Sequence, residues 1–261
     1  MQITLWDKEI PYLNAEAETP NYMTTYLLDT DKPLPCIVIY PGGGYRIRAP
    51  HEGGPIAEFF NRRGFHAVVV EYRVAPNRDP APLADAQRAV KLVRYHADEW
   101  KVDPNRIVTL GFSAGGHLCA STLVCDEVIP EHYTPDAVDA MPHRPNGGIL
   151  CYPVISVESD YGHTGSGKNL LGSRYDAEKA AYSLSGKVTA DTPKAFLWHT
   201  SADATVNVKN SLIFAERMRD AGVPFELHVF PHGKHGLGLA PDHADVRQWA
   251  DLAADWVERN I

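Results

Sequence analysis

Arg106-Ile107-Val108-Thr109-Leu110-Gly111-Phe112-Ser113-Ala114-Gly115-Gly116-His117-Leu118-Cys119-Ala120-Ser121-Thr122-Leu123-Val124 is the stretch that decides how this chain folds. Arg106 to Leu110 is apolar and β-branched, which predicts a buried strand, and Gly115 to Val124 predicts a helix. Between them, Gly111-Phe112-Ser113-Ala114-Gly115 fits the pattern G-x-S-x-G. A serine held on a sharp strand-to-helix turn has its hydroxyl thrust outward. The residues two before and two after it then crowd the turn, so both must be small. Ser113 is therefore the candidate nucleophile, and the helix N-terminus beside it favours developing negative charge. The competing reading is a glycine-rich structural turn, which the flanking strand and helix argue against.

Outward from this turn, strands and helices alternate. Tyr22 to Leu28 predicts a strand at an antiparallel edge. Cys36 to Tyr40 and Phe65 to Tyr72 are continuous apolar runs, as expected for strands covered on both faces. Pro55 to Arg63 predicts a short amphipathic helix ended by Gly64, and Leu83 to Trp100 a longer one. Strands follow at Gly148 to Tyr152, Ala195 to His199 and Phe225 to Phe230, with helices at Val208 to Ala221 and Asp242 to Arg259. Residues from about 153 to 190 lack strong periodicity and are expected to be a substrate-shaping insert. The alternation implies an α/β fold, one domain over 1–261, with a mainly parallel central sheet and helices on both faces. Ligands bind such sheets beyond the carboxyl ends of the strands.

That rule locates the partners of Ser113. Pro41-Gly42-Gly43-Gly44-Tyr45 follows the Cys36–Tyr40 strand and can turn backbone amides toward a developing oxyanion. Gly43 and Gly44 are both candidates there, together with the N–H of Ala114, the residue after the nucleophile. A phosphate loop is disfavoured because Tyr45-Arg46 stands where a Walker motif needs Lys-Ser or Lys-Thr. The acid should follow the penultimate strand, and Asp203 is the first carboxylate there; Asp191 precedes that strand and falls on the wrong edge. The base should be a late histidine in a loop. His228 lies in a strand and His243 is expected to open the last helix. This leaves His235, ahead of His232, in Phe230-Pro231-His232-Gly233-Lys234-His235-Gly236. A zinc pair from His232 and His235 has no third ligand indicated.

Composition narrows the rest. Thirty-three Asp and Glu against 25 Lys and Arg give a formal net charge of −8, which disfavours nucleic acid as a partner. Four cysteines form no CxxC pair, and Cys36 and Cys151 fall in apolar strand-like runs, so they are read as buried thiols. No signal-peptide core opens the chain, and no run approaches the roughly 18 apolar residues of a membrane helix. A cytoplasmic protein with no membrane partner is expected. A homo-oligomer remains open.

Taken together, Gly42-Gly43-Gly44-Tyr45, Glu71-Tyr72-Arg73-Val74-Ala75-Pro76, Gly111 to Leu118, Asp203-Ala204-Thr205-Val206 and His235-Gly236-Leu237-Gly238-Leu239 resemble the α/β-hydrolase esterases. With Phe225 to Phe230, they resemble its bacterial carbohydrate-esterase branch, the acetyl xylan and acetyl/feruloyl esterases, from about residue 35 to 260. The resemblance implies an α/β-hydrolase fold and hydrolysis of short acyl esters, with no cofactor and no metal. It also implies a Ser113–Asp203–His235 triad with an oxyanion region at Gly43, Gly44 and Ala114. Arg73 and Asp85 are expected to be a structural ion pair. Two other readings are carried: a small peptidase or arylformamidase with the same triad, and a non-catalytic binding protein. Oligopeptidases of this type carry a propeller domain, for which these residues leave no room, and non-catalytic relatives typically lose a triad member.

Overall fold

The computed structural model describes every residue of the chain except Ser159. In chain order the strands and helices are β1 (Gln2–Thr4), β2 (Tyr22–Tyr26), β3 (Leu34–Tyr40), α1 (Gly54–Arg62), β4 (His66–Val70), α2 (Ala81–Tyr95), α3 (Ala97–Trp100) and β5 (Val102–Phe112). There follow α4 (Ser113–Val124), β6 (Gly147–Cys151), α5 (Thr164–Leu171), α6 (Tyr175–Glu178), β7 (Lys194–Thr200), α7 (Lys209–Asp220), β8 (Phe225–Phe230) and α8 (Trp249–Asn260).

The strands form one eight-stranded sheet in the order β1-β2-β4-β3-β5-β6-β7-β8. β1 and β2 are antiparallel to their neighbours, and every pairing from β4 to β8 is parallel. The apolar runs are continuous because successive residues feed opposite, equally covered faces. In β3, Cys36, Val38 and Tyr40 pack on one side, under α2 and α4, while Ile37 and Ile39 pack on the other, under α1 and α8. β7 repeats the pattern, with Ala195 and Leu197 on the first side and Phe196 and Trp198 on the second.

Several element ends differ from the sequence reading. The strand from Tyr22 stops at Tyr26 because Leu28 gives its N–H to His66 Nδ1 instead of a ladder partner. The helix expected to run to Trp100 breaks after Tyr95; Trp100 instead folds back to stack on His96, and Lys101 turns the chain with a φ of 55°. β5 begins at Val102, earlier than expected; its register against β3 shifts between Leu34↔Val102 and Cys36↔Ile107, so the extra residues bulge out of β5. α4 begins at Ser113, two residues before the position expected. The last helix begins at Trp249, not Asp242, since residues 243–248 spend their hydrogen bonds on turns and Asp245 caps Val246. His243 is therefore not in a helix.

α2 is buried almost all round, so its polar residues need partners inside. Asp85 receives two guanidinium bonds from Arg73, both 2.8 Å, together with the Arg73 N–H and the Trp6 indole N–H. Both charged side chains are fully buried. This is the structural ion pair expected. Asp85→Leu strands the Arg73 guanidinium in the core and should cost about 3–5 kcal/mol in urea unfolding; a loss under 1 kcal/mol would show the pair to be dispensable.

Candidate active site

β5 ends at the carboxyl edge of the sheet, and Ser113 takes the turn into α4 with a φ of 54°. For a residue with a side chain this is a strained conformation, and it aims the hydroxyl off the sheet edge. The two glycines of the motif are dictated by contact. A Cβ on Gly111 would lie 2.0 Å from the Gly115 carbonyl oxygen, and one on Gly115 would lie 2.1 Å from that of Tyr40. The Ser113 carbonyl is tied down by Val154 N–H at 3.0 Å.

Two loops at the same edge meet the serine. Ser113 Oγ is 2.7 Å from His235 Nε2, and His235 Nδ1 is 2.6 Å from Asp203 Oδ2. Asp203 lies three residues past β7, and its other oxygen accepts the N–H groups of Thr205 and Val206 at 2.8 and 2.9 Å. His199, buried in β7, lies 3.4 Å from Oδ2. Burial alone would raise the Asp203 carboxyl, but the bonds from His199, His235 and Val206 outweigh it and hold the group well below the usual carboxylate range. An ionised acceptor on Nδ1 leaves Nε2 unprotonated toward serine, the tautomer a base needs.

The glycine loop after β3 completes the edge. Its carbonyls are drawn away from the serine: Pro41 O accepts from the Tyr72 hydroxyl, Gly42 O from Ala49 N–H, Gly43 O from Arg46 and Ile47 N–H, and Gly44 O from Asn169 Nδ2. The Gly42 N–H is taken by Glu52 Oε2 at 2.8 Å. Among the described residues, the N–H groups of Gly43, Gly44 and Tyr45 have no acceptor. Ala114 is the second residue of α4, where an N–H has no acceptor within the helix.

Every residue proposed from sequence for this site is thus found at one edge. His232 is exposed, His228 is bonded to Glu226 within β8, and Asp191 lies before β7 at the opposite edge. Both ring nitrogens of His235 are engaged, which leaves neither for a zinc pair with His232. Among the described residues no cluster of three His, Cys, Asp or Glu side chains is placed to hold a metal, and no helix is long and apolar enough to cross a membrane. Glu52, Tyr152, Asn169 and His199 were not singled out from sequence; they stand in no motif, and only the fold brings them to the site.

A cavity of about 260 Å³ runs along the flank of α4, lined by Tyr45, His117, Leu118, Leu170 and Tyr182 among others, but not by Ser113, His235 or Asp203. His117 is buried between the Tyr45 hydroxyl and the Tyr182 carbonyl, both at 2.9 Å. Burial pushes its imidazole down to about 4, against the opposing bond to Tyr182. The unfolded chain binds that proton near 6.5, so the stability His117 contributes is full above pH 6.5. It is lost as pH falls toward 4 and amounts to about 3 kcal/mol. His66, His143 and His163 are lowered in the same direction, each chiefly by burial. Urea midpoints taken from pH 7 to pH 4 should fall for the wild type and fall measurably less for His117→Gln; equal pH slopes would show His117 to be uninvolved.

Known proteins resemble the chain in sequence and fold. The BD-FAE family profile matches residues 24–134, and the prolyl oligopeptidase family profile matches residues 82–261. The crystal structure of an acetyl ester-xyloside bifunctional hydrolase from Caldicellulosiruptor lactoaceticus is 45% identical and superposes with a TM-score of 0.93, covering 99% of this chain and 96% of that one. The carboxylesterase Cest-2923 from Lactobacillus plantarum is 28% identical with a TM-score of 0.79, covering 99% and 96%. An endo-1,4-beta-xylanase B from Butyrivibrio fibrisolvens is 36% identical over 91% of this chain and 38% of its own length. An acetylxylan esterase from Xylanibacter ruminicola is 35% identical over 78% and 41%. The chain thus spans about two fifths of the length of these two curated relatives. Sheet order, site geometry and these matches agree: the chain belongs to the α/β-hydrolase superfamily and, within it, to the prolyl oligopeptidase family.

Proposed function

We propose that this chain is a serine esterase that hydrolyses short-chain acyl esters, acetyl esters above all, on xylo-oligosaccharides or related carbohydrates. The observation that carries the reading is the unbroken hydrogen-bond chain Ser113–His235–Asp203 at a strained turn, beside a loop whose Gly43 and Gly44 N–H groups have no acceptor among the described residues. Ser113 Oγ attacks the ester carbonyl while His235 Nε2 takes its proton. Asp203 steadies the imidazolium. The oxyanion is met by Ala114 N–H and by Gly43 or Gly44 N–H. His235 returns the proton to the departing alcohol, leaving an acyl-serine. A water then attacks that acyl group by the same route and releases the acid and Ser113. No cofactor is needed for these steps.

The substrate class is supported by the names of two relatives, one acting on acetyl esters and xylosides and one on acetylxylan. We propose that residues 153–190, Ser159 lying outside those described, shape the alcohol side of a one-domain enzyme; Asn169 of α5 already reaches the oxyanion loop. The stretch 156–172 is polar and glycine-rich, which suits a sugar better than a fatty chain. A cytoplasmic location is supported by four free thiols, three of them buried. The prolyl oligopeptidase profile favours one second reading, a small peptidase, because the same groups can attack an amide. A missing triad member, the mark of a non-catalytic relative, is not found here.

Ser113→Ala should lower turnover of nitrophenyl acetate by up to about 10⁶-fold with the fold intact. His235→Ala should be comparably inactive, and His232→Ala should keep most activity. A Ser113→Ala protein with a tenth of the wild-type rate sinks the nucleophile, and the reverse histidine result sinks the base. Comparing specificity constants along a series of nitrophenyl esters should show acetyl far above octanoyl, each methylene an apolar site can accept being worth about 1–3 kcal/mol. Acetate should be released from acetylated xylo-oligosaccharides, with no cleavage of aminoacyl nitroanilides. Octanoyl preference, or no sugar acetate, removes the carbohydrate reading; nitroanilide cleavage favours the peptidase.

A further inference from the structure

One buried carboxylate near Ser113 has no part in the reaction as described above. Glu52 is 2% exposed and lies at the end of a short 3-10 turn, Pro50–Glu52, between β3 and α1. Its two oxygens go to different parts of the site. Oε2 accepts the Gly42 N–H at 2.8 Å, at the root of the glycine loop. Oε1 accepts the Tyr152 hydroxyl at 2.6 Å. The Tyr152 oxygen in turn accepts the N–H of Gly238 at 2.9 Å, three residues beyond His235. Tyr152 also packs its ring edge-on against the His235 imidazole, with centroids 5.0 Å apart.

The neighbouring residue reinforces the same link. His51 Nε2 is 3.0 Å from the carbonyl oxygen of Gly236, adjacent to His235. Tyr152, just past β6, holds a φ of 36°, and its N–H is fastened to Trp198 O at 2.7 Å, which directs the side chain inward. Burial and the Glu52 carboxylate both push the Tyr152 phenol well above its ordinary value, so it stays a donor to Glu52.

We propose that Glu52 is a positioning residue for the reaction, its carboxylate joining the oxyanion loop at Gly42 to the histidine loop at Gly238 through Tyr152, so that donor amides and base keep one fixed spacing about Ser113. The proposal rests on the serine-esterase reading and adds a residue to it. It follows from what each loop lacks. Gly42, Gly43 and Gly44 bring no side chains with which to grip the histidine loop, and the loop from Pro231 to Gly238 contains three glycines with positive φ. Bonds within each loop set its own shape and not its distance from the other, yet a displacement of about 1 Å at a reacting group costs on the order of 10²-fold in rate. A single carboxylate with two acceptor oxygens spans the gap and satisfies the buried Gly42 N–H and Tyr152 hydroxyl, with Tyr152 extending it to the Gly238 N–H.

The test uses the full chain with two readouts. One is steady-state hydrolysis of nitrophenyl acetate. The other is labelling by a fluorophosphonate, in which the Ser113 Oγ–P bond forms, the P–F bond breaks, fluoride leaves and His235 takes the proton. The labelling endpoint counts competent sites, so rates are expressed per labelled site. Glu52→Ala should lower kcat about 100-fold with KM within about threefold, and slow labelling by a similar factor. Glu52→Gln, which keeps one acceptor oxygen for Gly42, and Tyr152→Phe, which removes only a hydroxyl and should fold, should each lie about tenfold below wild type. The double variant Glu52→Ala, Tyr152→Phe should be no slower than Glu52→Ala, because the two act along one chain of bonds. Variants that label to full endpoint and turn over within threefold of wild type overturn the role of Glu52. So does a loss confined to the number of labelled sites, which a purely structural role would give. A wild-type chain inert to both ester and fluorophosphonate overturns the esterase reading itself, and this one with it.

Discussion

Everything at the active edge depends on the backbone of Ser113 being kept where an isolated chain would not place it. A residue with a side chain resists φ near 54°, at a cost of roughly 1–3 kcal/mol. What overcomes the resistance is close packing. The turn is pressed between the end of β3 and the strand–helix crossing of β5 and α4, near enough that the first turn of α4 almost touches the Tyr40 carbonyl. The parallel pairing of β3 with β5, from Cys36↔Ile107 to Tyr40↔Gly111, sets that proximity. Because the ladder fixes β3 against β5, the loop that leaves β3 must emerge beside the serine that leaves β5. Oxyanion amides and nucleophile are thus neighbours by sheet topology before any side chain is considered.

The acid and base arrive by the same logic from the far side. β6 separates β5 from β7, and β6 and β7 together separate it from β8, so the loop after β7 reaches back across one strand and the loop after β8 across two. Asp203 makes that reach stable by being saturated with donors: two backbone amides on one oxygen, His235 and His199 on the other. Hydrogen bonds to the charged form favour ionisation, and here they outweigh burial. The fixed negative charge in turn dictates the imidazole tautomer. His199 has no motif around it, yet its ring is anchored by Ser211 and the Val206 carbonyl and braces the loop that carries the acid.

The sequence disclosed the parts of this design that are periodic or local. Strands such as Cys36–Tyr40 are legible because two covered faces require every residue to be apolar, and the elbow is legible because its crowding admits only small residues two positions either side. Asp203 and His235 are found by chain order once the elbow is placed. Element ends were misjudged where tertiary partners took over backbone bonds, as at Leu28 and at Asp242 to Gln248. Glu52, Tyr152 and Asn169 were invisible for a related reason. Each acts on a loop about ten to more than a hundred residues away in the chain, so no local pattern records the contact.

The oxyanion loop shows how such distant contacts become chemistry. Hydrogen-bond donors stabilise a developing oxyanion most when they already point at it, since no reorganisation then opposes the reaction. A three-glycine loop left to itself would sample many amide directions. Here the Pro41, Gly42, Gly43 and Gly44 carbonyls are each occupied, by Tyr72, Ala49, the Arg46–Ile47 turn and Asn169. A peptide unit whose oxygen is fastened has its N–H direction fastened as well, because the group is planar. Fastening the Gly42 and Gly43 carbonyls therefore orients the amides that follow them, those of Gly43 and Gly44. The glycines supply the close approach, backbone bonds within the loop set the amide directions, and the Tyr72 and Asn169 side chains fasten the Pro41 and Gly44 carbonyls on either side. Asn169 comes from α5 in the segment that is read as shaping the alcohol site. The segment proposed to face the leaving alcohol and the loop proposed to meet the oxyanion are therefore in direct contact through one amide side chain.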